Sequence, residues 1–104
     1  MKEVTVQELK AMQDSGEHFT LIDVREPHEF EQANLDGILI PMNDAPDRVT
    51  EFPKEGKVVV HCRSGMRSGN VISYLEQTHG YTNLYNLKGG IMAWIAEIDP
   101  TVGN

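Results

Sequence analysis

A chain of 104 residues has room for one hydrophobic core, so residues 1–104 are read as a single domain. With 39% hydrophobic and 24% charged residues, the composition is that of a folded globular protein and excludes an intrinsically disordered one. A net charge of −7 argues against nucleic-acid and anionic-membrane partners, because both reward clustered Lys and Arg. No apolar stretch is long enough to span a bilayer, and Met1-Lys2-Glu3-Val4-Thr5 lacks the apolar run of a secretory signal, so a cytoplasmic location is the default expectation.

The first helix is signalled at Thr5. Thr5-Val6-Gln7-Glu8 fits a capping box, Val4 is placed to staple onto Leu9, and Gly16 marks the end. Phe19 to Val24 reads as a buried strand running into Arg25-Glu26-Pro27, whose proline suits the first turn of a helix through Phe30 and Ala33. Ile38-Leu39-Ile40 is a short strand stopped by Pro41. From Asn43 to Phe52 follows a polar connection with room for one or two helical turns.

Lys57 to His61 is the strongest strand signal, with β-branched residues at 58, 59 and 60. From Arg67 the spacing of Val71, Ile72 and Leu75 predicts a helix that stops near Gly80. Leu84 to Leu87 makes a further strand, broken by Gly89-Gly90. Ile91, Trp94, Ile95 and Ile98 fall on one face of a last helix ending before Pro100. Strands alternating with helices imply parallel strands, right-handed crossovers and a three-layer α/β/α domain. Trp94 and the neighbouring isoleucines are read as core. Gly89-Gly90 is read as a turn where the backbone passes close to another element, with no chemistry assigned to it.

Cys62 is the only cysteine in the chain and stands where the Val58–His61 strand gives way to a polar loop and then a helix N-terminus. Backbone N–H groups at such a junction favour an anion, and it is the thiolate of cysteine that attacks. Gly65 can take a positive φ and let successive N–H groups turn inward as a nest. Arg63 and Arg67 make the loop cationic on an acidic molecule, which suits a small anionic ligand. His61 is adjacent to Cys62 on the strand, so its side chain is expected on the opposite face and is read as packed, not as a catalytic base. His18, His28, His61 and His79 show no metal-ligand spacing with Cys62, so no zinc site and no cofactor are expected. A single cysteine also leaves no internal resolving thiol.

Taken together, Leu21-Ile22-Asp23-Val24-Arg25-Glu26-Pro27-His28-Glu29-Phe30, the segment from Val58 through Arg67, and Leu87-Lys88-Gly89-Gly90-Ile91-Met92-Ala93-Trp94 resemble three ordered motifs of the single-domain rhodanese-like sulfurtransferases. The resemblance covers nearly the whole chain. It implies about five mainly parallel strands flanked by helices and an active-site loop running from Cys62 to Arg67. It also implies that Cys62 attacks the sulfane sulfur of thiosulfate or a persulfide donor and holds it as a persulfide. A thiol, including a protein thiol, or cyanide would then accept the sulfur. Arg63, Ser64, Gly65, Met66 and Arg67 are the candidate substrate-binding residues, with an ion pair to an acid as the structural alternative for Arg67. Asp23 and Arg25 are candidate supporting residues, more simply explained as a buried acid capping a turn and an arginine paired to an acid. The run Ala33-Asn34-Leu35-Asp36-Gly37 departs from the Gly-His-Ile-Pro-Gly type expected of the family, which leaves its local turn open.

Two other readings compete. His-Cys followed by Arg-Ser is similar to a tyrosine-phosphatase signature, but that signature has five residues between cysteine and arginine, whereas four separate Cys62 from Arg67. A non-catalytic module, or one that carries sulfur only within a relay, is the second. Retention of Cys62 argues against its inactive form.

Overall fold

The computed structural model describes residues 1–103. Its core is a five-stranded sheet of β1 (Glu3–Val4), β2 (Phe19–Asp23), β3 (Ile38–Leu39), β4 (Lys57–His61) and β5 (Leu84–Leu87), in spatial order β1-β5-β4-β2-β3. All four strand pairings are parallel. The helices are α1 (Val6–Ser15), α2 (Pro27–Gln32), α3 (Met66–His79) and α4 (Gly90–Glu97). Two 3₁₀ segments, Met42–Asp47 and Val49–Glu51, form the connection expected after Pro41, and a third, Pro100–Gly103, follows α4.

Local signals explain the helix ends. Thr5 Oγ1 accepts from the Glu8 N–H at 3.0 Å and Glu8 Oε1 accepts from the Thr5 N–H at 2.8 Å, which completes the capping box of α1. Gly16 closes that helix in the left-handed conformation, with φ 71°. One element was not foreseen. Val4 does not simply precede a helix: it pairs with Leu87 as part of the edge strand β1, while packing in the same cluster as Leu9. Two residues are too few for a period to show in sequence, and their partners lie more than 80 positions away.

Val58, Val59 and Val60 are all fully buried because β4 is the central strand, covered on both faces. On one face Val58, Val60 and Cys62 pack with Val71, Ile72 and Leu75 of α3 and with Phe52. On the other, Val59 and Leu87 pack with Leu9 of α1 and with Ile91 and Trp94 of α4. Val24 and Cys62 follow directly on adjacent parallel strands, from which the chain departs in opposite directions across the sheet. This is the switch point beyond the carboxyl ends of the strands, where open α/β sheets bind ligands.

The run from Ala33 to Gly37 makes its own turn. The Asn34 side chain accepts from the Asp36 N–H at 2.9 Å, and Asp36 takes a φ of 62°, which asparagine and aspartate tolerate better than most residues. A Cβ at Gly37 would lie 2.9 Å from the Leu21 carbonyl oxygen, so glycine is required where this turn crosses β2.

Candidate active site

The loop from Cys62 to Arg67 wraps around the sulfur. Gly65, at φ 108°, turns the chain so that its N–H donates to Cys62 Sγ at 3.1 Å. The outer side of the loop is held by α4. The Ile91 N–H donates to the Cys62 carbonyl at 3.0 Å and the Met92 N–H to the Arg63 carbonyl at 3.1 Å. The Gly65 carbonyl accepts from the Gly69 N–H and from Asn86 Nδ2, each at 3.0 Å. With these carbonyls engaged elsewhere, N–H groups of the loop are left to face the sulfur, the arrangement an anion needs.

Gly89-Gly90 therefore has a role that sequence reading did not assign. Gly90 lies against the loop so closely that a Cβ there would be 2.4 Å from the Arg63 carbonyl oxygen. The expectation of a close backbone approach is met, and the element approached is the cysteine loop itself.

Cys62 is buried, with 1% of its surface exposed. Burial pushes the thiol pKa up. The Ser68 hydroxyl, together with the N–H groups of Ser68, Gly65 and Ser64, pushes it down, and these donors prevail, holding the thiol below its ordinary value. Ser68 is itself fully buried on the first turn of α3, with Oγ 3.4 Å from Cys62 Sγ and 2.6 Å from Asn86 Oδ1. Its single hydroxyl proton is shared between the amide oxygen and the sulfur. Ser68 and Asn86 were both missed in the sequence. Ser68 stands one place beyond the expected loop, and Asn86 comes from a different strand, so spacing alone carries no signal for their meeting.

The two loop arginines differ. Arg63 is exposed and makes no ion pair among the described residues. Arg67 forms a two-pronged pair with Glu29 of α2, Nη1 to Oε1 at 2.7 Å and Nη2 to Oε2 at 2.9 Å. The Arg67 guanidinium beside it, assisted by the Glu26 N–H, holds the Glu29 carboxyl down to about 2 against burial. The acid partner considered for Arg67 thus has an identity, 38 positions upstream. Met66 projects from the rim, 76% exposed, and Ser64 is exposed beside it.

Asp23 and Arg25 form a buried layer behind the loop. Arg25 Nη2 donates to Asp23 Oδ2 at 2.7 Å and to the Ala33 carbonyl at 2.7 Å, while Asp23 Oδ1 also accepts the Arg25 N–H at 3.0 Å. The arginine thereby ties the end of β2 to the end of α2. His61, in register with Asp23, packs fully buried on that same side, away from the face on which Cys62 packs against α3. Burial pushes its pKa down, opposed by the Asp23 carboxylate 3.7 Å away, which makes it a packed neutral ring and not a base for the thiol.

The arrangement is a thiol held below its ordinary pKa in a nest of N–H donors at the end of a central parallel strand. Comparisons with known proteins place the whole chain in a family. Residues 5–97 match the rhodanese-like domain family. A sulfurtransferase from Allochromatium vinosum is 39% identical over 95 residues, which span 90% of this chain and 88% of that protein. Among solved structures, a rhodanese-like domain protein from Staphylococcus aureus superposes with a TM-score of 0.82 at 33% identity, covering 90% of this chain and 91% of the other. A rhodanese-related protein from Thermoplasma volcanium reaches a TM-score of 0.83 at 26% identity, with 94% of each chain covered. Matches this complete in sequence and in fold show that the chain belongs to the rhodanese-like domain family.

Proposed function

We propose that this protein is a sulfurtransferase that carries a sulfane sulfur on Cys62 as a persulfide. The observation that supports it most is the nest itself: a thiol held below its ordinary pKa at the centre of inward-facing N–H groups, in a chain whose relatives include a sulfurtransferase. In the first half-reaction the Cys62 thiolate attacks the outer sulfur of a small anionic donor such as thiosulfate. The new S–S bond forms as the donor's own S–S bond breaks, and sulfite leaves with the electron pair. The terminal sulfur of the persulfide is again an anion, and the same N–H groups stabilise it.

In the second half-reaction cyanide or a thiolate, including that of a protein, attacks the terminal sulfur and restores Cys62. Atoms and electrons balance in both steps without a cofactor or metal. Cys62 is the only cysteine, so the sulfur passes to an external acceptor. Ser64 and Gly65 bind the reacting sulfur through their N–H groups. Arg63 meets the donor's charge, Met66 and Arg67 border the entrance, and Asp23 with Arg25 supports the strand end. A reducing, cytoplasmic setting suits a reaction that starts from a free thiol. The four residues between Cys62 and Arg67, one fewer than in the tyrosine-phosphatase signature, disfavour a phosphatase.

The test is direct. Thiosulfate should add the mass of one sulfur atom at Cys62, and Cys62→Ser should abolish both the adduct and thiocyanate formation from cyanide. Undiminished transfer by the serine variant would sink the proposal. Aryl-phosphate turnover lost in the same variant would replace it with the phosphatase reading.

A further inference from the structure

Asn86 is a buried amide, 6% exposed, on an otherwise apolar face of the sheet. It stands in register with Val60 of β4, so it shares the face on which Leu84, Val60 and Cys62 pack against α3. An amide in that position costs stability unless its groups find partners. Both do, and both partners also reach the sulfur. Asn86 Nδ2 donates to the carbonyl of Gly65, whose N–H lies 3.1 Å from Cys62 Sγ, and Asn86 Oδ1 accepts from Ser68 Oγ, which lies 3.4 Å from Sγ.

The chemistry of these partners fixes the direction of each bond. A carbonyl only accepts, so the NH₂ of Asn86 faces Gly65 and its oxygen faces Ser68. That oxygen also only accepts. The Ser68 hydroxyl has one proton, which it gives to Asn86 across 2.6 Å, and it is left to turn a lone pair toward Sγ. Such a hydroxyl suits an uncharged sulfur, and a thiol can donate to it. A thiolate only accepts and requires the proton to turn. Hydrogen bonds to ions are the stronger ones, so the direction of the hydroxyl follows the charge on Sγ.

We propose that Asn86 is a positioning residue that holds the Ser68 proton while Cys62 Sγ is uncharged and yields it when Sγ becomes an anion. For the transfer step this rests on the reading of Cys62 as a sulfur carrier. Sγ is uncharged as the inner sulfur of the persulfide. When cyanide attacks the outer sulfur, its electron pair forms the C–S bond, the S–S bond breaks, and the pair of that bond leaves on Sγ. Two negative charges enter, on persulfide and cyanide, and two leave, on thiolate and thiocyanate. The Ser68 hydroxyl turns from Asn86 to Sγ as the charge develops, without transferring its proton, a stabilisation made in the transition state and not in the persulfide.

The test is a double-mutant cycle on the pH midpoint of thiolate absorbance, using wild type, Ser68→Ala, Asn86→Ala and the double variant. The charged and titratable groups on the loop and around it, Arg63, Arg67, Glu29, Asp23, Arg25 and His61, are common to all four proteins and cancel in the comparison. Asn86→Ala loosens Gly65 in either background, but only with Ser68 present does it also release a hydroxyl to the sulfur. The shift it causes should therefore lie about one pH unit lower with Ser68 present than in the Ser68→Ala background. Equal shifts overturn the proposal and leave Asn86 a clamp on Gly65 alone. A second readout needs no change at Asn86: the carbonyl carbon of its side chain, followed by NMR, should move with the Cys62 midpoint in the wild type and much less in Ser68→Ala. Equal movement overturns the proposal, because it reports the charge on the sulfur and not the turn of a hydroxyl. Discharge of the preformed persulfide by cyanide should slow about tenfold in Ser68→Ala, and an unchanged rate overturns the role at that step. Coupling in the cycle with no sulfur adduct from thiosulfate upholds the role of Asn86 toward the thiol and overturns the sulfurtransferase reading.

Discussion

Gly90 sits against Cys62 so closely that a Cβ on the glycine would be 2.5 Å from the cysteine carbonyl oxygen. The first turn of α4 is thereby pressed onto the start of the loop, and its N–H groups hold the loop carbonyls outward. Gly90 also has a φ of 60°, a conformation that side chains strain. Gly90→Ala should therefore cost about 2 kcal/mol or more in urea unfolding, through strain and a backbone clash together. It should also slow persulfide formation, because the clash displaces the N–H groups around the sulfur. A stable Gly90→Ala protein with wild-type transfer would show that the contact is not needed.

Ser68 is expected to set the ionisation of the nucleophile. Ser68→Ala removes one of the donors that offset burial at Cys62, so the thiolate absorbance should develop at higher pH than in the wild type. The change also leaves the buried Asn86 Oδ1 without its hydroxyl partner, for a stability loss of about 1–3 kcal/mol. An unmoved absorbance midpoint would assign the whole effect to the backbone N–H groups.

Glu29→Gln tests the bridge between α2 and the loop. Arg67 loses a two-pronged carboxylate partner in a half-buried setting, which should cost about 1–2 kcal/mol near neutral pH. The folded-state pKa of Glu29 is depressed from 4.5 to about 2, so the pair's contribution is full above 4.5 and is lost as pH falls through 2. The stability difference between wild type and variant should accordingly shrink over that window. A difference independent of pH would place its origin elsewhere than in the carboxylate.

Asp23→Asn should be among the most damaging single changes. It leaves the buried Arg25 guanidinium facing a neutral amide, and breaking one side of a buried pair typically costs about 3–5 kcal/mol. Because Arg25 also donates to the Ala33 carbonyl, the loss should loosen the end of α2. Faster amide hydrogen exchange at residues 29–33 would register this, and wild-type protection there would contradict it.

Much of the architecture is legible in the chain alone because it rests on local chemistry. Thr5 and Glu8 mark the start of α1, Gly16 and Gly80 the ends of α1 and α3, and Pro27 the start of α2, all through backbone preferences that act within a few residues. Three valines in a row identify the strand buried on both faces, and Cys62 at its end identifies the nucleophile candidate. Tertiary structure decided what sits around the sulfur. Glu29 meets Arg67 across 38 positions and Asn86 meets Ser68 across 18, and α4 holds the loop carbonyls from nearly 30 positions downstream. Sequence spacing carries periodicities of a helix or a strand, whereas these contacts depend on the order in which parallel strands are laid side by side. Sequence alone thus determined that a thiol stands at a strand end before a helix. The sheet order decided which donors reach that thiol, which loop arginine is paired to an acid, and which makes no ion pair among the described residues.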